Sequence, residues 1–68
     1  MRIILNGTPR EVSEPTTVSS LLREMGVNPG LVAVEVNLQI IDRADFTTTS
    51  LKEGDKVEVI GFVGGGKF

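Results

Sequence analysis

The chain contains no cysteine and no histidine. Without cysteine it has neither disulfides nor thiolate metal ligands. Without histidine it lacks the side chain that most often serves as general base or metal ligand near neutral pH. The remaining nucleophiles are hydroxyls and lysines, with no imidazole to activate them, which argues against catalysis by this chain alone. Tryptophan and tyrosine are also missing, and three phenylalanines are the whole aromatic complement. Seven basic and nine acidic residues are interspersed, for a net charge of −2, and form no basic stripe. Nucleic-acid binding therefore has little support. No apolar run approaches the roughly 18 residues that a membrane span needs. The opening Met1–Asn6 segment is too short in its apolar part for a secretory signal. A soluble, cytoplasmic protein is the expectation, with neither membrane nor nucleic acid as partner.

Sixty-eight residues suit one small domain. Chains of this size bury only about 60% of their unfolded surface, so the core is marginal. What the chain does have is glycine in an unusual place: Gly64-Gly65-Gly66, directly after an apolar strand-like segment and two residues before Lys67-Phe68. Glycine offers no packing there and has maximal backbone entropy to lose. It offers thinness, since a run without Cβ atoms can enter a channel too narrow for other residues and present a carboxylate to another protein.

The body of the chain reads as alternating strands around one helix. Met1–Leu5 is strand-like, Asn6-Gly7 is a strong two-residue hairpin signal, and the segment 8–13 returns as the second arm. Pro9 removes a ladder donor and predicts that this arm is an edge strand. Glu14-Pro15 breaks the chain, and Thr16 or Thr17 is placed to cap a helix. Val18, Leu21, Leu22 and Met25 then fall at i, i+3, i+4 and i+7, one apolar helical face, and Gly26 is placed to end it. The segment 31–36 is a strand with Val32, Val34 and Val36 on one side and Ala33 and Glu35 on the other. Residues 38–41 read as a short extended or turn segment, and Asp42 is placed to cap one helical turn through Phe46. Around Gly54, Asp55 is positioned to accept hydrogen bonds from nearby amides before a last strand over 57–63. In that strand Val57, Val59 and Gly61 share one face, and Glu58, Ile60 and Phe62 share the other.

This order predicts an α+β fold of the β-grasp (ubiquitin-like) type, a four-stranded mixed sheet packed on one main helix. Residues 1–63 form the domain and 64–68 a flexible glycine-rich tail. The first and last strands pair in parallel at the centre of the sheet. Its second face carries Ile4, Ile60 and Phe62.

At the level of motifs the chain resembles the ThiS family, the sulfur carriers of thiamine biosynthesis, which are related to the molybdopterin-synthase carrier MoaD. The likeness rests on Ile3-Ile4-Leu5-Asn6-Gly7, the helix segment 17–22, Val34-Glu35-Val36-Asn37 with Ile40-Ile41-Asp42-Arg43, the block 51–59, and above all Phe62-Val63-Gly64-Gly65-Gly66. The resemblance implies that the reactive group is a C-terminal glycine carboxylate, here Gly66. A ThiF-like adenylating enzyme would use MgATP to make an acyl-adenylate there, and a sulfur donor protein would convert it to a thiocarboxylate. A ThiG-like thiazole synthase would then consume the sulfur. The chain itself would bind no cofactor and act as a protein cosubstrate. Gly64 and Gly65 would thread the partner's channel, and Ile4, Ile60, Phe62 and Val63 are the candidate docking residues. Glu35 and Arg43 read either as charges at the rim of that patch or as ordinary solvated charges.

Lys67-Phe68 departs from the family pattern, because Gly66 cannot be adenylated while a peptide bond follows it. Three readings stay open: removal of the dipeptide by a peptidase, an addition foreign to the protein, or a chain that no longer carries sulfur. Delivery to another acceptor (molybdopterin, cysteine, a siderophore or a tRNA base), attachment of Gly66 to lysines of other proteins, and an inert β-grasp interaction module are the alternatives.

Overall fold

A computed structural model describes residues 1–62. Strands β1 (Arg2–Leu5) and β2 (Thr8–Glu11) form the opening hairpin, and helix α1 spans Val18–Met25. Strand β3 (Val32–Val36) is followed by a two-residue strand β4 (Gln39–Ile40), and β5 (Lys56–Gly61) closes the sheet. The spatial order is β2-β1-β5-β3-β4, with β1 and β5 parallel and the other pairs antiparallel. The parallel central pair and the edge position of the Pro9 strand are as expected. The sheet has five strands where the sequence predicted four. The extra one arises where Asn37 (φ 52°) and Leu38 (φ 70°) both adopt positive φ and turn the chain back beside β3. That is the geometry of a two-residue hairpin turn, hidden in the sequence because leucine stands where glycine signals it.

Helix α1 begins where its chemistry dictates. Thr17, and not Thr16, is the N-cap, its Oγ1 accepting from the Ser20 amide at 3.1 Å. Gly26 ends the helix at φ 72°, donating its amide to the last-turn carbonyls of Arg23 and Leu22. Thr16 is buried, and its hydroxyl donates to the Ser13 carbonyl. The predicted apolar stripe is the buried one: Val18, Leu21 and Leu22 are fully enclosed and Met25 partly so. They meet Ile3 and Leu5 of β1, Val32 and Val34 of β3, and Val57 and Val59 of β5 in one core. Phe46 and Leu51 close that core from the long 41–55 connection. The expected single helical turn is present as a 3-10 turn over Arg43–Asp45 between Asp42 at the N-cap position and Phe46 at the C-cap, but Asp42 makes no side-chain capping hydrogen bond. Asp55 does accept an amide, that of Lys52, at 2.8 Å.

Candidate docking face and the root of the tail

Because α1 covers one face of the sheet, the side chains that alternate away from the core lie on the other. On β5 these are Lys56, Glu58 and Ile60, with Phe62 next in the alternation and 61% exposed. The register of β3 places Ala33 beside Ile60 and Glu35 beside Glu58, and β4 places Ile40 beside Glu35. Phe62 donates its amide to the Leu31 carbonyl at 3.0 Å, so exposed Leu31 stands next to Phe62 just beyond the last ladder pair. Leu31, Ala33, Ile60 and Phe62 thus gather at the end of β5 from which the chain continues toward its glycines.

Ile4 is not part of that group. It lies on the same face and is half-buried, but its neighbour on β5 is Lys56. Lys56 is four residues from Ile60, about 13 Å along a strand. The exposed Ile40 and Leu38 lie toward this far end as well, where β3 turns into β4. Val63, Gly64, Gly65 and Gly66, and with them the tail expected over 64–68, lie outside the described residues. The sequence reading missed Leu31, Ala33 and Ile40 as members of the face. The alternation through 31–36, which sets Ala33 opposite the valines, is the signal that could have found Ala33 and, extended back, Leu31; Ile40 could be found only once β4 was known to pair.

Side-chain hydrogen bonds tie down the segments on either side of β5. Arg43 donates through Nε to the Pro29 carbonyl at 3.0 Å and through Nη2 to the Val32 carbonyl at 3.2 Å, bracketing Leu31. On the other side of β5, Asn6 fills the gap where β1 turns away: its Oδ1 accepts from the Val59 amide at 2.8 Å. A separate open groove of about 570 Å³ runs between the β1–β2 turn and the C-terminal end of α1, lined among others by Asn6, Pro9, Arg10 and Met25. Its lining offers no general base. Among the described residues no group of three or more potential ligand side chains could hold a metal ion. No helix there is long and apolar enough to cross a membrane. The arrangement suits docking, and β5 ends at one edge of this candidate face.

Comparison with known proteins agrees in fold and in extent. The model of the ThiS family matches residues 3–66, ending at the third glycine. A crystal structure of the thiamine biosynthesis protein ThiS from Geobacter metallireducens superposes with a TM-score of 0.83 at 38% identity, covering 97% of this chain and 100% of that one. The sulfur carrier protein ThiS of Thermus thermophilus is 39% identical over 62 residues, 91% of this chain and 95% of that protein. A thiazole synthase of Paramagnetospirillum magneticum is 41% identical over 66 residues, 97% of this chain. This chain spans only 20% of that relative's length.

Proposed function

From its membership of the ThiS family, to which this chain belongs, we propose that it is a sulfur carrier of thiamine biosynthesis, a protein cosubstrate and not an enzyme. The observation that carries the reading is the extent of the family match, which runs through Gly64, Gly65 and Gly66 and leaves Lys67-Phe68 beyond it. Gly66 is then the residue that bears the sulfur. A carboxylate accepts sulfur poorly until its oxygen becomes part of a good leaving group, and a chain without histidine does not perform that step itself. A ThiF-like partner uses MgATP to form the acyl-adenylate on Gly66. A persulfide on the donor side displaces AMP to give an acyl disulfide. A second thiol attacks its S–S bond, releasing the thiocarboxylate and leaving a disulfide on the donor side. A ThiG-like thiazole synthase takes the sulfur onward, a pairing supported by the thiazole synthase that contains a segment similar to nearly all of this chain.

The chemistry requires a free carboxylate on Gly66, so a peptidase removes Lys67-Phe68 first. Gly64 and Gly65 pass through the partner's channel, and the apolar group at the end of β5 gives that partner its footing.

Intact mass of the protein isolated from its native cells, grown with and without thiamine, tests this. The expected species in thiamine-free medium ends at Gly66, with a fraction heavier by one sulfur-for-oxygen exchange. A chain that stays full-length under both conditions overturns the carrier reading in favour of an inert interaction module.

A further inference from the structure

Among the described residues the last part of β5 pairs on one side only. Its pairing with β1 stops at Val57 opposite Leu5, and Asn6 carries support as far as the Val59 amide. From Ile60 on, the ladder is made with β3, through Ala33 opposite Ile60 and Val32 opposite Gly61. Phe62 adds one more bond, its amide donating to the Leu31 carbonyl at 3.0 Å. Where Phe62 lies therefore depends on where Leu31 lies. The core holds β3 from Val32 onward, since Val32 is fully enclosed whereas Leu31 is exposed.

Arg43 supplies what the core does not. A guanidinium directs its donors in a rigid planar fork, and two of them fall on the carbonyls of Pro29 and Val32, on either side of Leu31. Arg43 is itself fixed by the 3-10 turn, where its carbonyl accepts the amide of buried Phe46 at 3.2 Å. A line of contacts thus runs from the core through Phe46, Arg43 and the 29–32 segment to Phe62. Ordering an exposed arginine costs side-chain entropy, and its bonds offset that cost because the donor is charged. Gly66 is four residues beyond Phe62, at most about 14 Å of extended chain. On so short a tether, any shift at Phe62 changes where Gly66 can reach. We propose that Arg43 is a positioning residue for the activation of Gly66, acting through Leu31 on the point from which the chain departs toward its glycines. The proposal rests on the carrier reading above. Without the clamp, fewer molecules have Phe62 in place at any moment, so the activating enzyme needs more carrier to reach the same rate. The chemistry on a Gly66 that has arrived is unchanged.

The test compares the parent with Arg43→Ala, Arg43→Lys and, as a control, Thr17→Ala. Amide hydrogen exchange at Phe62 is followed in the full chain, where it reports local opening of this bond. Isotope exchange between ATP and pyrophosphate, catalysed by the adenylating enzyme from the same genome, is measured with each chain ending at Gly66, a form that keeps every described residue. Arg43→Ala should speed hydrogen exchange at Phe62 about tenfold, roughly what one hydrogen bond from a charged donor represents. It should raise the KM for the carrier by a similar factor and leave kcat unchanged. Arg43→Lys, whose ammonium lacks the fork, should fall between. Thr17→Ala removes the cap of α1 and should leave both the Phe62 amide and KM as in the parent. An unchanged KM in Arg43→Ala overturns the proposal while leaving the carrier reading intact. A raised KM with Phe62 hydrogen exchange unchanged makes Arg43 a direct contact of the enzyme, which also overturns it. So does a KM that rises equally in Thr17→Ala, because the effect is then one of general stability. A parent ending at Gly66 that supports no pyrophosphate exchange overturns the carrier reading and the proposal with it.

Discussion

Asn6 illustrates how one side chain satisfies two demands. Its φ of 49° suits the tight turn between β1 and β2, where asparagine is among the residues that tolerate left-handed backbone. Its Oδ1 takes the Val59 amide at 2.8 Å, extending the β1–β5 ladder past the point where β1 departs. Asn6→Gly keeps the backbone freedom and loses that acceptor, whereas Asn6→Ala loses both. We expect Asn6→Gly to destabilise by about 1–2 kcal/mol from the unsatisfied amide. Asn6→Ala should add about 1 kcal/mol more for left-handed backbone with a Cβ. Urea denaturation of the three proteins separates the two contributions, and equal stabilities would refute the ladder role. Leu38 shows the opposite case, a 90% exposed leucine held at φ 70° with no packing to offset the strain. The turn signal at Asn6-Gly7 was legible because both residues match the geometry; at Asn37-Leu38 only the first does.

Among the elements, α1 is the one whose limits could be read residue by residue. Cap, stripe and terminator lie within one local segment, and each acts through bonds to residues a few positions away. Sequence left Thr16 and Thr17 as alternatives because both hydroxyls precede the stripe. Tertiary contacts decide between them, since Thr16 is drawn inward and passes its carbonyl to the Leu51 amide at 2.8 Å. Thr17→Ala should therefore cost about 1 kcal/mol, in the range of lost N-caps. Thr17→Asp should recover most of it, by chemical denaturation followed through the helical circular dichroism signal. Equal stability of Thr17→Ala and the parent would show that the cap is not what starts this helix. The opposite limit is β4, two residues long, which exists only because β3 is beside it. No propensity in Gln39-Ile40 could announce such a strand.

For the molecule as a whole, stability rests on a single core shared by α1 and the strands. A domain of this size has about 3–10 kcal/mol in hand at the usual stability per residue. Leu21 is fully buried, and Leu21→Ala should cost about 2–5 kcal/mol. We expect a drop in melting temperature of at least about 8 °C by scanning calorimetry; a smaller drop would mean that the helix can settle onto the sheet and fill the space. What the sequence by itself determined is everything governed by short-range periodicity and special backbone: the helix face, the inward valines of β3 and β5, the edge strand with Pro9, and the glycine run that pointed to a carrier. Element order then led to the parallel central pair, because one helix must cover one face of the sheet. Only the tertiary structure decided which outward residues meet. Strand register, which links residues far apart in the chain, separated Ile4 from Ile60 by about 13 Å along the sheet and from Phe62 by about 20 Å. The same register brought Leu31 beside Phe62 and set Glu35 against Glu58. Alternation assigns a side chain to a face, but only pairing across strands fixes its neighbours there.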